Sequence, residues 1–208
     1  MPKIAVVTVA ALLSLSGLAQ ASIIGNGPPN QTGGSDLNAF IEGDDFVVGT
    51  PSAQITQIKF WALRTTPADF TGTIDWAIYS DSAGFPGSSV ALGNASATGV
   101  ATGNTTLGLD EFAYTLNVNA TLGTGTYWLV LHNGPSNAIP DGSFYWAWTS
   151  DSGNSASSFV LSSPAWAGNS AELAFELTDS APEPMSMSLV GGGLLAAWLF
   201  RRKKAMGV

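Results

Sequence analysis

The 208-residue chain carries 15 acidic against 7 basic side chains, a formal charge of −8, and it has no cysteine. That length holds one domain of roughly 150 residues beside shorter terminal segments. The acidic balance repels a phosphate backbone and argues against nucleic-acid binding, while the missing thiols exclude disulfides, cysteine nucleophiles and cysteine-ligated metals.

Charged residues make up only 11% of the chain and glycine is abundant. Such a composition favours short strands joined by turns over long amphipathic helices, so helix is expected to be scarce.

Residues 1–21 read as a secretory signal peptide. Lys3 supplies the positive start, Ile4 to Leu18 an apolar run, and Ala19-Gln20-Ala21 a small-x-small cleavage site. Cleavage is expected after Ala21, which makes 22–180 the exported domain.

Within that body Lys59 and Arg64 are the only basic residues, against fourteen acids, a net charge of −12. Period-two alternation recurs between turn signals. A strand is expected over Ile55 to Leu63. Ile74, Trp76 and Ile78 then share one face with Asp75 and Tyr79 opposite, and the turn-rich run Asp81 to Gly87 follows. Phe112, Tyr114, Leu116 and Val118 repeat the pattern. Tyr127, Leu129 and Leu131 alternate with Trp128, Val130 and His132, so both faces of that stretch are bulky, as in a central strand. Phe144, Trp146 and Trp148 alternate with Tyr145 and Thr149, and Leu173, Phe175 and Leu177 oppose Glu172 and Glu176. Seven to nine such strands without a repeated unit predict an all-β fold, an antiparallel two-sheet β-sandwich of jelly-roll type. Pro51, Pro67, Pro86, Pro135, Pro140 and Pro164 are placed between the strands, where a missing amide hydrogen harms no ladder.

Residues 181–208 combine three parts: Pro182-Glu183-Pro184, an uncharged stretch from Met185 to Phe200, and the basic cluster Arg201-Arg202-Lys203-Lys204. As a helix, 185–200 is about 24 Å long, short of a hydrocarbon core of roughly 30 Å. The adjacent Gly191, Gly192 and Gly193 weaken it further. A basic cluster prefers the cytoplasmic side, which places the acidic body outside, as the signal peptide also does.

This order of parts resembles the PEP-CTERM sorting signal of Gram-negative, exopolysaccharide-producing bacteria. The resemblance covers Pro182 to Val208. It implies recognition by an exosortase, a membrane-embedded protease that removes the tail near Pro182-Glu183-Pro184. The precursor would be anchored in the inner membrane by the C-terminal helix, and the product delivered to the cell surface or extracellular matrix. The body is also similar to ectodomains found ahead of such tails, in stretches such as Asp44-Asp45-Phe46, Ile58-Lys59-Phe60-Trp61 and Trp76-Ala77-Ile78-Tyr79-Ser80-Asp81. That similarity implies a secreted sandwich without catalytic residues to carry over.

Among candidate chemistries, His132 is the single histidine and no catalytic motif surrounds it. Asp44-Asp45 and the Asp81 to Gly87 turn offer oxygen ligands for calcium. Trp61 and Trp128 are the candidates for outward rings on which a sugar would stack, because their strand neighbours are apolar enough to fill the core face. Two functions follow as expectations. The first is a non-enzymatic surface or matrix protein associated with exopolysaccharide or biofilm. The second is a secreted carbohydrate-binding module or carbohydrate-active enzyme on the same export route.

Overall fold

The computed structural model describes residues 22–159 and 165–180. The expected signal peptide with Ala19 and Ala21, Pro164, and the whole tail from Pro182 to Lys204 lie outside the described residues.

Thirteen strands run through the described chain: β1 (Ser22–Ile24), β2 (Gly34–Asp36), β3 (Phe40–Val48), β4 (Ala53–Arg64), β5 (Thr73–Asp81), β6 (Pro86–Ser96), β7 (Thr98–Thr106), β8 (Leu109–Leu122), β9 (Gly125–Asn133), β10 (Phe144–Ala147), β11 (Ser155–Phe159), β12 (Ala167–Asn169) and β13 (Phe175–Asp179). Among the described residues the one helical turn is a 3-10 turn at Pro67–Asp69. Two antiparallel sheets result, and the molecule is an all-β sandwich. In the first, β4 is flanked on one side by β8, and through it β7. On its other side β13 and then β1 cover its first half, and β10 and then β2 its second. The second sheet has the order β12-β11-β3-β9-β5-β6.

The expected alternation holds where bulky residues carry it. Ile74, Trp76 and Ile78 of β5, Leu129 and Leu131 of β9, Tyr114 and Leu116 of β8, and Phe144 and Trp146 of β10 all enter one core between the sheets. The central position of β9 is confirmed by its pairing with β3 and β5. In β4 a register shift between Ile55 and Gln57 absorbs one residue, so Ile55 and Ile58 both face the core although three apart. Two indoles place their N–H groups: the buried Trp146 Nε1 donates to the Ala174 carbonyl at 2.8 Å and the half-buried Trp148 Nε1 to Ser35 Oγ at 3.0 Å.

Two expectations need correction. The strand count is higher than seven to nine, because β1, β2, β11 and β12 span only three to five residues and carry little alternation, while β6 and β7 are rich in Gly, Asn, Ser and Thr and β3 has Glu-Gly-Asp-Asp at its centre, all of which read as turns. Pro86 does not fall between strands; it opens β6, a position where its missing N–H is tolerated. β6 is an edge strand of the second sheet and β7 of the first, and Ala97 alone separates them, so the chain crosses from one sheet to the other there. Only pairing to one neighbour is asked of such edges, and their side chains stay largely exposed.

Candidate metal centre

β3 runs through the middle of the second sheet, paired to β9 on one side and β11 on the other. Its inward parity is set by Phe46 and Val48, which join the core. Two residues further back on the same face stands Asp44, and two before that Glu42, both buried. Acids at inward positions of a central strand break the sandwich pattern, since a buried ionised carboxylate is costly without a partner.

Asp44 is fully buried, at 0% exposure. Its Oδ2 accepts the Leu173 N–H, while its Oδ1 has no hydrogen-bond partner. The segment that enters β13 brings Glu172 alongside, and Glu172 Oε2 is also buried and unpartnered. Asp45 completes the group. Its main-chain N–H donates to the Asn154 carbonyl, and its Oδ1 accepts the Asn154 N–H at 2.9 Å, which turns the carboxylate toward the loop before β11. One ligand oxygen from each of Asp44, Asp45 and Glu172 lies within 4.8 Å of the others. Gly153 backs the cluster. A Cβ there would stand 2.9 Å from both Asp45 Oδ1 and Glu172 Oε2, so the space between these carboxylates exists because residue 153 has no side chain.

The electrostatics follow from burial. Loss of water lifts Asp44 well above the usual carboxylate range, with the Leu173 amide pulling against the rise and the charges of Glu172 and Asp45 adding to it. Burial also raises Glu172, with the neighbouring Asp44 carboxyl and the Gly153 backbone pulling against the rise and the charges of Asp45 and Asp151 adding to it. No cation of the described body offsets them. Lys59 bonds Glu176 at 3.1 Å, and the Arg64 guanidinium lies 4.0 Å over the Phe112 ring.

The other expected site residues fall elsewhere. In the Asp81 to Gly87 run, Asp81 Oδ1 accepts Trp128 Nε1 at 2.9 Å and Oδ2 accepts the Gly84 N–H, so that carboxylate is spent on the hairpin. Trp61 and Trp128 do lie on the outer faces of their sheets, apart from the main core, but neither presents a ring to solvent. Trp61 is 6% exposed with Lys59 Nζ 4.3 Å from its ring centroid, and Trp128 is 1% exposed among Ala77, Val130 and Ala156. His132 is buried, with its ring nitrogens 3.1 and 3.3 Å from the carbonyl oxygens of Gly134 and Asn38. Beside it a groove of about 350 Å³ opens on the outer face of the second sheet, lined by Asp75, Tyr79, Asn94, Val130 and Ser136 among others. Tyr79 also meets Trp166 edge to face at 6.3 Å.

No family model, curated protein or solved structure matches the chain.

Glu172 was not readable as a partner of Asp44, since 128 residues separate them. The available signal was parity: Glu42, Asp44, Phe46 and Val48 alternate without interruption once Gly43 is accepted inside a strand.

Proposed function

We propose that this chain is an exported surface or matrix protein whose β-sandwich is delivered by its terminal segments. The observation that carries this reading is the succession of Pro182-Glu183-Pro184, the uncharged residues 185–200 and the basic cluster Arg201 to Lys204. On this reading an exosortase-type protease cuts near the Pro-Glu-Pro element. The acidic body then resides outside the inner membrane in association with extracellular polysaccharide or biofilm material.

The strand orders support a jelly-roll path for the body. The runs β1-β13-β4-β8 and β3-β9-β5-β6 interleave early and late strands in both sheets, with β2, β7, β10, β11 and β12 as additions at the flanks. A self-repelling acidic sandwich suits a hydrated matrix, where net charge keeps chains apart. The carbohydrate-binding alternative loses the Trp61 and Trp128 platform to burial. It would have to use the groove beside Tyr79, where Asp75 is already engaged by Asn94 Nδ2 and the Ser136 N–H, each at 2.6 Å.

Intact-mass spectrometry of the mature protein, isolated from the producing cells, tests the proposal. The expected species starts at Ser22, ends close to Pro182-Glu183-Pro184 and lacks Arg201 to Val208. A species that keeps Met1, or one that keeps Val208, contradicts it.

A further inference from the structure

We propose that Asp44, Asp45 and Glu172 bind a calcium ion that ties β3 to the loop before β11 and to the segment entering β13. Three carboxylates converge within 4.8 Å, and two of their oxygens, Asp44 Oδ1 and Glu172 Oε2, are buried without any partner. A buried acceptor left unpaired costs free energy, and here two are left unpaired within one cluster of carboxylates. Such a group is neutralised either by protons or by a cation. The described body supplies no cation, because Lys59 and Arg64 are committed elsewhere.

The donor set selects the metal. All three ligands are hard oxygens; there is no cysteine, and His132 is held between two carbonyls, so zinc, copper and nickel find none of the ligands they prefer. Magnesium demands near-ideal octahedral geometry at 2.0–2.1 Å and keeps its waters, whereas calcium accepts irregular sets of carboxylates and carbonyls at 2.3–2.6 Å. Carboxylates that reach a site from three separate parts of the chain suit the more tolerant ion. The consequence is structural. A chain without disulfides gains a cross-link among segments near residues 44, 153 and 172, and Gly153 leaves the room the ion needs.

Calcium must displace whatever proton the carboxyls hold, so affinity increases with pH. The charged and titratable groups around the site are Asp44 and Asp45 of β3, Glu172, and Asp151 of the loop before β11, all acids.

The test is isothermal titration of CaCl2 into full-length chain in mild detergent, stripped with EDTA and then freed of it, at pH 5.5 and pH 8. At pH 8 the expected result is one equivalent with a dissociation constant between about 10⁻⁵ and 10⁻³ M. The melting temperature should rise by about 5 °C at 2 mM calcium. Binding at pH 5.5 should be at least about tenfold weaker, since the released proton is then held more tightly. Asp44→Asn and Glu172→Gln should remove the response. Should either fail to fold, the half-buried Asp45→Asn serves instead and should bind at least about tenfold more weakly. Absence of heat and of any melting shift up to 10 mM calcium would overturn the proposal in favour of a shared proton. A response of equal size in the variants would overturn it in favour of diffuse binding to the acidic surface.

Discussion

Glu42→Gln is expected to stabilise the metal-free protein at pH 8 by on the order of 4 kcal/mol while leaving stability near pH 4 almost unchanged. Glu42 sits inward on β3 at 3% exposure, opposite Leu131 of β9 and Ser157 of β11, and its Oε2 has no partner. Burial, with the charge of Asp36 adding to it, pushes its carboxyl up to about 8. The direction of the pH effect follows from linkage. Between about pH 4.5 and 8 the unfolded chain has ionised at this residue and the folded one has not, so folding must hold a proton that solution favours releasing. Stability from this group is therefore complete below the unfolded value. It falls by about 1.4 kcal/mol per pH unit as pH rises, and levels off once the folded carboxyl ionises. Glutamine keeps the shape and cannot ionise, so the variant escapes the decline. Urea titrations in EDTA at pH 4.5, 6 and 8 measure it. A variant less stable than the parent at pH 8 would show that ionised Glu42 has a favourable partner.

Trp146→Ala should cost about 4 kcal/mol, a large share of the 5–15 kcal/mol that holds a domain of this kind together. The indole is fully buried on β10, edge-on to Phe60 at 6.2 Å and to Phe175 at 6.1 Å. It thus joins three strands of the first sheet, and its Nε1 also holds the Ala174 carbonyl of the segment leading to β13. Truncation opens a cavity and forfeits that bond together. Trp146→Phe should cost less than half as much, because most of the volume stays. Denaturant midpoints with an unchanged slope would measure both, and a loss below about 1.5 kcal/mol for the alanine variant would remove Trp146 from the centre of the core.

The sandwich was legible where residues of one face are large and apolar. Ile74, Trp76 and Ile78, or Tyr127, Leu129 and Leu131, can be buried in only one way, and parity did the rest. It failed where the strand owes its existence to its neighbours. Phe-Ile-Glu-Gly-Asp-Asp-Phe over 40–46 has the composition of a turn, yet pairing on both sides holds it extended. Gly93 and Gly99, which look like breakers, are instead places where the rings of Trp76 and Tyr114 come so close that a Cβ would touch them. Parity also names the side of the sheet on which a residue lies without saying what covers it. That is why Trp61 and Trp128, expected as outward rings open to a ligand, lie on the outer faces yet are shielded by Lys59 and by neighbouring outer-face residues. The acidic centre needed still more, because Asp44 and Glu172 are brought together only after both sheets have formed.

The central claim is delivery of this acidic sandwich to the outside by the segment after Ala181. Protease shaving of intact cells expressing the full chain or a chain truncated after Ala181 is its most direct test. The full chain should be degraded on whole cells, and the truncated one should be missing from the surface fraction and free in the periplasm or medium. Equal recovery of both at the surface would contradict it.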